Sequence, residues 1–350
     1  MNWFGIEYRD PLFGVIVFFV SVFAISFVAY TLKRKKELNA VNEHQELVKR
    51  FELGELDPSE YLELYKSGKL PLDSLILLSN IFSQKGDYGK AISLYLSLLE
   101  HTNEQYAKEE ILGHLGKIYF ITGLLQRSKE IFLKILKFSP RNKNALFWLL
   151  LTYEKLKDFQ NAFDILESLV ELDYDAKSDK PYLFASSVSS NATLSNEKKL
   201  EQLQSISANN ERISRIFAVF VIRNNIDFFW ENLDKFNLIA IIDVLWYLPK
   251  TQISFDKISE NRFLNDLYTA KGYLQTSKSS DIFELDILIL NQNRENKKEK
   301  IDLNFEYVCD HCKKVHFVYE GRCPYCHSAL SLQPVAKITK INFEANNSFQ

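Results

Sequence analysis

The chain has 350 residues, a formal net charge of −2, and 43 Lys and Arg set against 45 Asp and Glu. A chain with no cationic surplus argues against a nucleic-acid binder, whose affinity rests on neutralising phosphates. Only 11 Gly and 8 Pro accompany 27 Phe and 17 Tyr, which is a poor composition for a β-rich fold and a good one for packed helices.

Residues 12–32, LFGVIVFFVSVFAISFVAYTL, carry no charge. As a helix they would span about 30 Å, one hydrocarbon core. Arg9 stands beside Glu7 and Asp10 before this run, whereas Lys33-Arg34-Lys35-Lys36 follow it. Cationic flanks stay in the cytoplasm, so residues 1–11 are expected outside, 12–32 across the membrane, and the bulk of the chain in the cytoplasm. The apolar run is too long, and its leading flank too acidic, for a cleaved signal peptide. Residues 33–56 read as a polar juxtamembrane tether. Asp57-Pro58-Ser59-Glu60 then supplies a helix start, with Asp57 capping, Pro58 at the first helical position and Glu60 where a capping acid belongs.

Three segments repeat in phase. Leu75, Leu78, Ser79 and Phe82 precede Ala91 and Tyr95. Leu112, Leu115, Gly116 and Tyr119 precede Ser128, Phe132 and Pro140. Leu146, Leu149, Leu150 and Tyr153 precede Ala162 and Leu166. Small residues at Gly116, Ala91, Ser128 and Ala162 let two antiparallel helices approach, and the aromatics fill the space between them. The turns GDY (86–88), GLL (123–125) and KDF (157–159) reverse the chain. The pattern resembles the tetratricopeptide repeat and implies a mainly α fold, a helical superhelix over 57–174 whose units must stack to bury their apolar faces. Repeat geometry places Asp73, Asn80, Ser83, Lys117, Phe120, Phe147 and Glu154 on a groove suited to a protein partner.

From 175 to 300 the helical pattern continues as degenerate repeats, in YLFASSV, EKKLEQLQSI, RISRIFAVFVI, DFFWENL, LIAIIDVLWYL, RFLNDLYTAKGYL and DIFELDILILN, and closes on a solvated linker at 291–300. All four cysteines follow, as Cys309-x-x-Cys312 and Cys323-x-x-Cys326. Two such knuckles offer four thiolates to one ion, and in a reducing compartment they bind metal rather than pair as disulfides. The metal-binding unit is expected over 301–335, with strands in Phe305–Val308 and in the spacer VHFVYEGR, and a tail over 336–350. Zn2+ is favoured, with Fe2+ or Fe3+ as the alternative. His311, His316 and His327 lie nearby, but four thiolates already complete the site. No paired carboxylates, nucleophile–base set, phosphate loop or dinucleotide fingerprint is present in the sequence, so no catalytic residue and no enzymatic activity are expected.

The order of anchor, repeats and knuckle pair resembles the lipopolysaccharide assembly protein B family of Gram-negative bacteria. The resemblance is closest in LSNIFSQKGDYGKAISLYLSLLE, LGHLGKIYFITGLLQRSKEIFLKIL and CDHC…CPYC, and vague from about 182 to 300. It implies a rubredoxin-like C-terminal domain with Cys309, Cys312, Cys323 and Cys326 as metal ligands. It also implies a single-pass protein of the bacterial inner membrane with a periplasmic N-terminus. The implied function is that of an adaptor regulating lipopolysaccharide synthesis, which brings the lipid A-committing deacetylase to a membrane-anchored AAA+ protease, with other envelope-assembly proteins as further partners and self-association left open. One departure stands out: the family favours Gly after the second cysteine of the first knuckle, where this chain has Lys313, which weakens the case for rubredoxin geometry and tilts the metal towards zinc. The alternatives are a membrane-tethered scaffold for another envelope complex and a rubredoxin-like electron carrier.

Overall fold

The computed structural model describes residues 18–35, 61, 65, 71–293 and 301–340. Residues 1–17 and 36–60, which hold the expected periplasmic segment, the start of the expected span and nearly all of the tether, lie outside them, as do 294–300 of the linker. Helix α1 (18–35) is exposed along its whole length, with Phe23 and Ile25 among its most exposed side chains. Its uncharged part ends at Leu32, and among the described residues no helix is long and apolar enough to cross a membrane. The expected span 12–32 is thus described only from residue 18 onward.

Two compact units follow from the chain's own contacts, 1–148 and 149–350. In the first, α2 (Leu72–Gln84), α3 (Tyr88–His101), α4 (Gln105–Ile121) and α5 (Leu125–Phe138) form antiparallel pairs, and α6 (Lys143–Lys155) opens the next. The reversals share one chemistry. Gly86 and Gly123 sit at φ 85° and 76°, and Lys157 takes the equivalent left-handed position at φ 60° after α6. Asp87 N–H then reaches back to Phe82 O, and Asp158 N–H to Tyr153 O, closing the helix ends. The side chains of Asp87 and Asp158 in turn accept from Lys90 N and Asn161 N, starting the next helix.

The core of this unit joins Leu75, Leu78 and Phe82 of α2 to Leu94, Tyr95 and Leu98 of α3 and to Ile111, Leu115 and Tyr119 of α4. Between α4 and α5 the backbone approach is set by Gly116. A Cβ there would stand 2.7 Å from the tip of the buried Phe132 ring, and Ser128 Oγ donates to Gly116 O at 2.9 Å. The alternation of small and large residues in the repeat is therefore a steric requirement.

The second unit continues through α7 (Phe159–Val170), α8 (Asp179–Ser190), α9 (Asn196–Asn209) and α10 (Ser214–Asn224). Shorter helices follow: α11 (Ile226–Glu231), α12 (Ile242–Trp246), α13 (Phe255–Ile258), α14 (Arg262–Ala270) and α15 (Phe283–Gln292). The seven helical stretches read from the sequence fall on α8 to α12, α14 and α15, although 233–252 is broken by short 3-10 turns. A three-stranded antiparallel sheet of order β2-β1-β3 closes the chain, with β1 (Ile301–Cys309), β2 (Val315–His316) and β3 (Leu332–Lys340). The spacer strand shrinks to two residues. The outer strand runs past the expected boundary at 335, pairing from Cys309↔Leu332 to Ile301↔Lys340.

Leu303, Phe305, Tyr307 and Cys309 alternate along β1 and turn one face inward. They join a continuous core with Phe217, Phe229, Leu245, Trp246 and Tyr268 of the helices. The cysteine unit has no separate core of its own.

Gly116→Ala is expected to destabilise the first unit. Overpacking against Phe132 costs about 1–3 kcal/mol, while the better helix propensity of Ala returns at most about 1 kcal/mol. Denaturant unfolding should show the loss, and Phe132→Leu in the same chain should recover part of it.

Candidate metal centre

Each knuckle is a tight turn with the same bonds. Cys309 N–H donates to Lys314 O and Lys313 N–H to Cys309 O; Cys323 N–H donates to Ser328 O and His327 N–H to Cys323 O, all at 2.9–3.0 Å. Both turns need a left-handed residue after the second cysteine, and they obtain it from Lys313 (φ 60°) and His327 (φ 59°). The glycine expected from the resemblance is thus dispensable: the lysine adopts the glycine's conformation, and Lys313 no longer argues for one metal over another.

The knuckles bring Cys309 Sγ to 3.6 Å from Cys326 Sγ and Cys312 Sγ to 3.7 Å from Cys323 Sγ, with all four sulfurs within 4.8 Å of one another. A tetrahedron of metal–sulfur bonds of about 2.3 Å has edges of about 3.8 Å, so the four residues fit a single tetrahedral ion. Cys309 and Cys323 are fully buried and the other two half-buried. Burial disfavours the Cys309 thiolate, but N–H groups of Cys312 and His311 and the Ser331 hydroxyl bring its pKa down to about 6. Burial pushes the Cys323 thiol up to about 12. His316 Nε2 stands 3.3 Å from Cys323 Sγ, close enough to share a hydrogen bond with the sulfur.

Two buried arginines seat this unit on the helices. Arg322, next to Cys323, donates from Nε to Glu154 Oε2 of α6 and from Nη1 to Asp179 Oδ1 of α8, each at 2.6 Å, and to His327 O at 2.9 Å. Tyr174 O–H donates to the other Asp179 oxygen, and the Tyr182 ring covers the guanidinium at 5.1 Å. A Cβ at Gly321 would fall 2.4 Å from that ring, so the backbone meets the helix surface directly. Arg215 of α10 makes the reciprocal contact. It binds Asp243 of α12 through two nitrogens at 2.7 and 2.6 Å, lies 4.0 Å from the centroid of Tyr319, and shares Asp243 with the Tyr307 hydroxyl of β1.

Of the expected groove residues, Lys117, Phe120 and Phe147 gather around Trp148, which the sequence reading did not single out. The Lys117 amine lies 5.4 Å over its indole, and the two Phe rings meet it edge-on at 5.4 and 6.4 Å. Burial lowers the Lys117 pKa. Asp73 is exposed and Ser83 half-buried on α2, and Asn80 accepts the Tyr95 hydroxyl at 2.8 Å. Glu154 corrects the expectation. Its carboxylate is not presented to a groove but is buried against Arg322, and burial holds its pKa above the ordinary range in spite of that partner. Arg322, Asp179, Arg215 and Asp243 were likewise missed. The one local signal was Gly321-Arg322 directly before a knuckle, a small residue and a cation where a turn alone needs neither.

Arg322→Ala is expected to cost about 3–5 kcal/mol, because it leaves two buried carboxylates unpaired. Glu154→Gln should cost only about 1–2 kcal/mol, since an amide keeps a hydrogen bond and removes a charge that burial already disfavours. Lys313→Gly should gain about 1 kcal/mol by relieving the left-handed turn. Denaturant unfolding of the metal-loaded chain ranks all three.

Comparison with known proteins places the repeats. The tetratricopeptide repeat family model matches residues 109–142 and 144–175. Lipopolysaccharide assembly protein B of Escherichia coli K12 is 27% identical over 116 residues, which is 33% of this chain and 30% of the relative, and the protein of Escherichia coli O157:H7 matches to the same extent. The match therefore spans less than a third of the relatives' own length. Among solved structures, a tetratricopeptide repeat protein from Parabacteroides merdae aligns with 72% of this chain and 96% of its own at 14% identity and TM-score 0.40. MamA from Desulfovibrio magneticus RS-1 aligns with 44% and 85% at 20% identity and TM-score 0.35. The chain is mainly helical, carries tetratricopeptide repeats at 109–142 and 144–175 and a C-terminal four-cysteine cluster, and is similar over a third of its length to lipopolysaccharide assembly protein B.

Proposed function

We propose that this chain is a non-enzymatic adaptor of the bacterial inner membrane that regulates lipopolysaccharide synthesis, presenting the lipid A-committing deacetylase to a membrane-anchored AAA+ protease. The observation that carries the reading is the combination of a repeat scaffold similar to lipopolysaccharide assembly protein B with a metal unit fixed to the helices by two buried arginines. A packed helical surface suits recognition of protein partners. The cluster of Lys117, Phe120, Phe147 and Trp148 supplies the aromatic and cationic groups that dominate such contacts.

The anchor belongs to the proposal. Helix α1 exposes apolar side chains on all faces up to Leu32 and then meets the cations 33–36, an arrangement that calls for lipid around it and cytoplasm after it. Tethering in two dimensions raises the effective concentration of partners without any new contact. For the metal we favour zinc, whose closed four-thiolate sites are structural; bound there, it would neutralise the thiolates and hold the knuckles together, while Arg322 and Arg215 hold the unit to the helices.

Three outcomes are expected. Full-length chain in mild detergent should recover the protease and the deacetylase, and Cys323→Ser/Cys326→Ser should lose them; recovery of neither by a folded wild type would sink the adaptor reading. Elemental analysis of colourless protein from iron-replete cells should find zinc, whereas a red protein with a reversible potential would favour the electron carrier. Deleting residues 12–32 should move the chain from the membrane fraction to the soluble one.

A further inference from the structure

A cavity of about 740 Å³ lies within the second unit, between helices α8 to α10 and α12 and Val318 and Tyr319 of the cysteine unit. Its size falls in the range of about 300–1,000 Å³ of small-molecule sites. Its lining includes the apolar side chains of Ile216, Val219, Phe220, Val244 and Val318. It also includes the cations Lys199 of α9 and Arg223, which lies one turn along α10 from Val219 and Phe220.

The charges do not cancel. Asp243, the carboxylate at this cavity, is already bound by two Arg215 nitrogens and by the Tyr307 hydroxyl. Lys199 reaches only the Ser189 carbonyl, at 3.4 Å, and among the described residues no ion pair is made by Lys199 or Arg223. Arg215, whose side chain is 8% exposed, also lines the cavity, and its Nε has no hydrogen-bond partner among the described residues. A lining that sets uncompensated cations next to apolar side chains selects a ligand with both characters. Water satisfies the cations and leaves the apolar side chains wet; a bare anion does the same.

We propose that this cavity binds a single-chain amphiphile with an anionic head. The alkyl chain lies along Val219, Phe220 and Val244 under Val318, and a carboxylate or phosphate head meets Lys199 and Arg223. Because Val318 and Tyr319 belong to the cysteine unit, the ligand bridges that unit and the helices that carry it.

The test is photo-labelling of the full-length, zinc-loaded chain in lipid nanodiscs. The probes are medium-length alkyl chains bearing a diazirine and ending in a carboxylate, a phosphate or a neutral hydroxyl. Expected are labelled peptides covering 214–224 and 315–319 with both anionic probes, and labelling lower by about tenfold with the alcohol, the equivalent of one lost charge-assisted bond. Arg223→Glu, on an exposed side chain, should reduce anionic labelling by a similar factor, and Val219→Trp should abolish it by blocking the apolar part of the lining beside Phe220. Equal labelling by carboxylate and phosphate probes assigns the site to anionic heads in general; a preference for one names the head. Labelling that ignores the head group, or that survives both substitutions, overturns the proposal. Competition by inorganic phosphate without loss on Val219→Trp also overturns it, since the cations alone would then be the site.

Discussion

The second unit depends on one guanidinium. Arg322 enters the helical surface beside a knuckle cysteine and meets carboxylates from α6 and α8 at 2.6 Å each, under the ring of Tyr182. Removing three charges from water is costly, and the cost is returned only when every partner is in place. The pairing therefore penalises any displaced arrangement of the cysteine unit more than it rewards the correct one. Arg215 works in the opposite sense, reaching from the helices under Tyr319 and sharing Asp243 with Tyr307 of the sheet. Each side thus contributes one cation and receives one, and the register between sheet and helices is fixed at two separate points.

This seat explains how so small a sheet can stand at all. A unit of this length has too little interior to fold by hydrophobic burial alone. Here β1 lends its inward face, Leu303, Phe305 and Tyr307, to the core of the helices, and its last inward residue is Cys309. The apolar core and the thiolate cluster are consecutive positions on one strand. The cysteine cluster is accordingly held from two directions, by the knuckle turns and by the strand that enters them.

Much of this was readable from the residues. Periodicity and small–large alternation found the helix pairs, and the turns at 86–88, 123–125 and 157–159 marked the reversals, because those signals are local. The cysteine spacing found the ligand set for the same reason. What escaped was non-local or counter to propensity. Glu154 lies on its expected helix, but its partner lies 168 residues away, and only the small residue and cation before the second knuckle hint at it. Strand β3 contains Pro334, which reads against a strand and is admitted because β3 is an edge of the sheet. Lys313 looked like a departure from the turn because propensity disfavours its conformation, yet the bonds on either side of it impose that conformation all the same.

The distance between Arg322 and its carboxylates also sets an order of events during synthesis. The helix hairpins of residues 72–138 close on neighbours made moments earlier, so each can form as the chain emerges. Glu154 and Asp179 cannot: their counter-ion is made 168 and 143 residues later. Until then the two carboxylates stay hydrated and their final site open, and it is the knuckle carrying Arg322 that closes it.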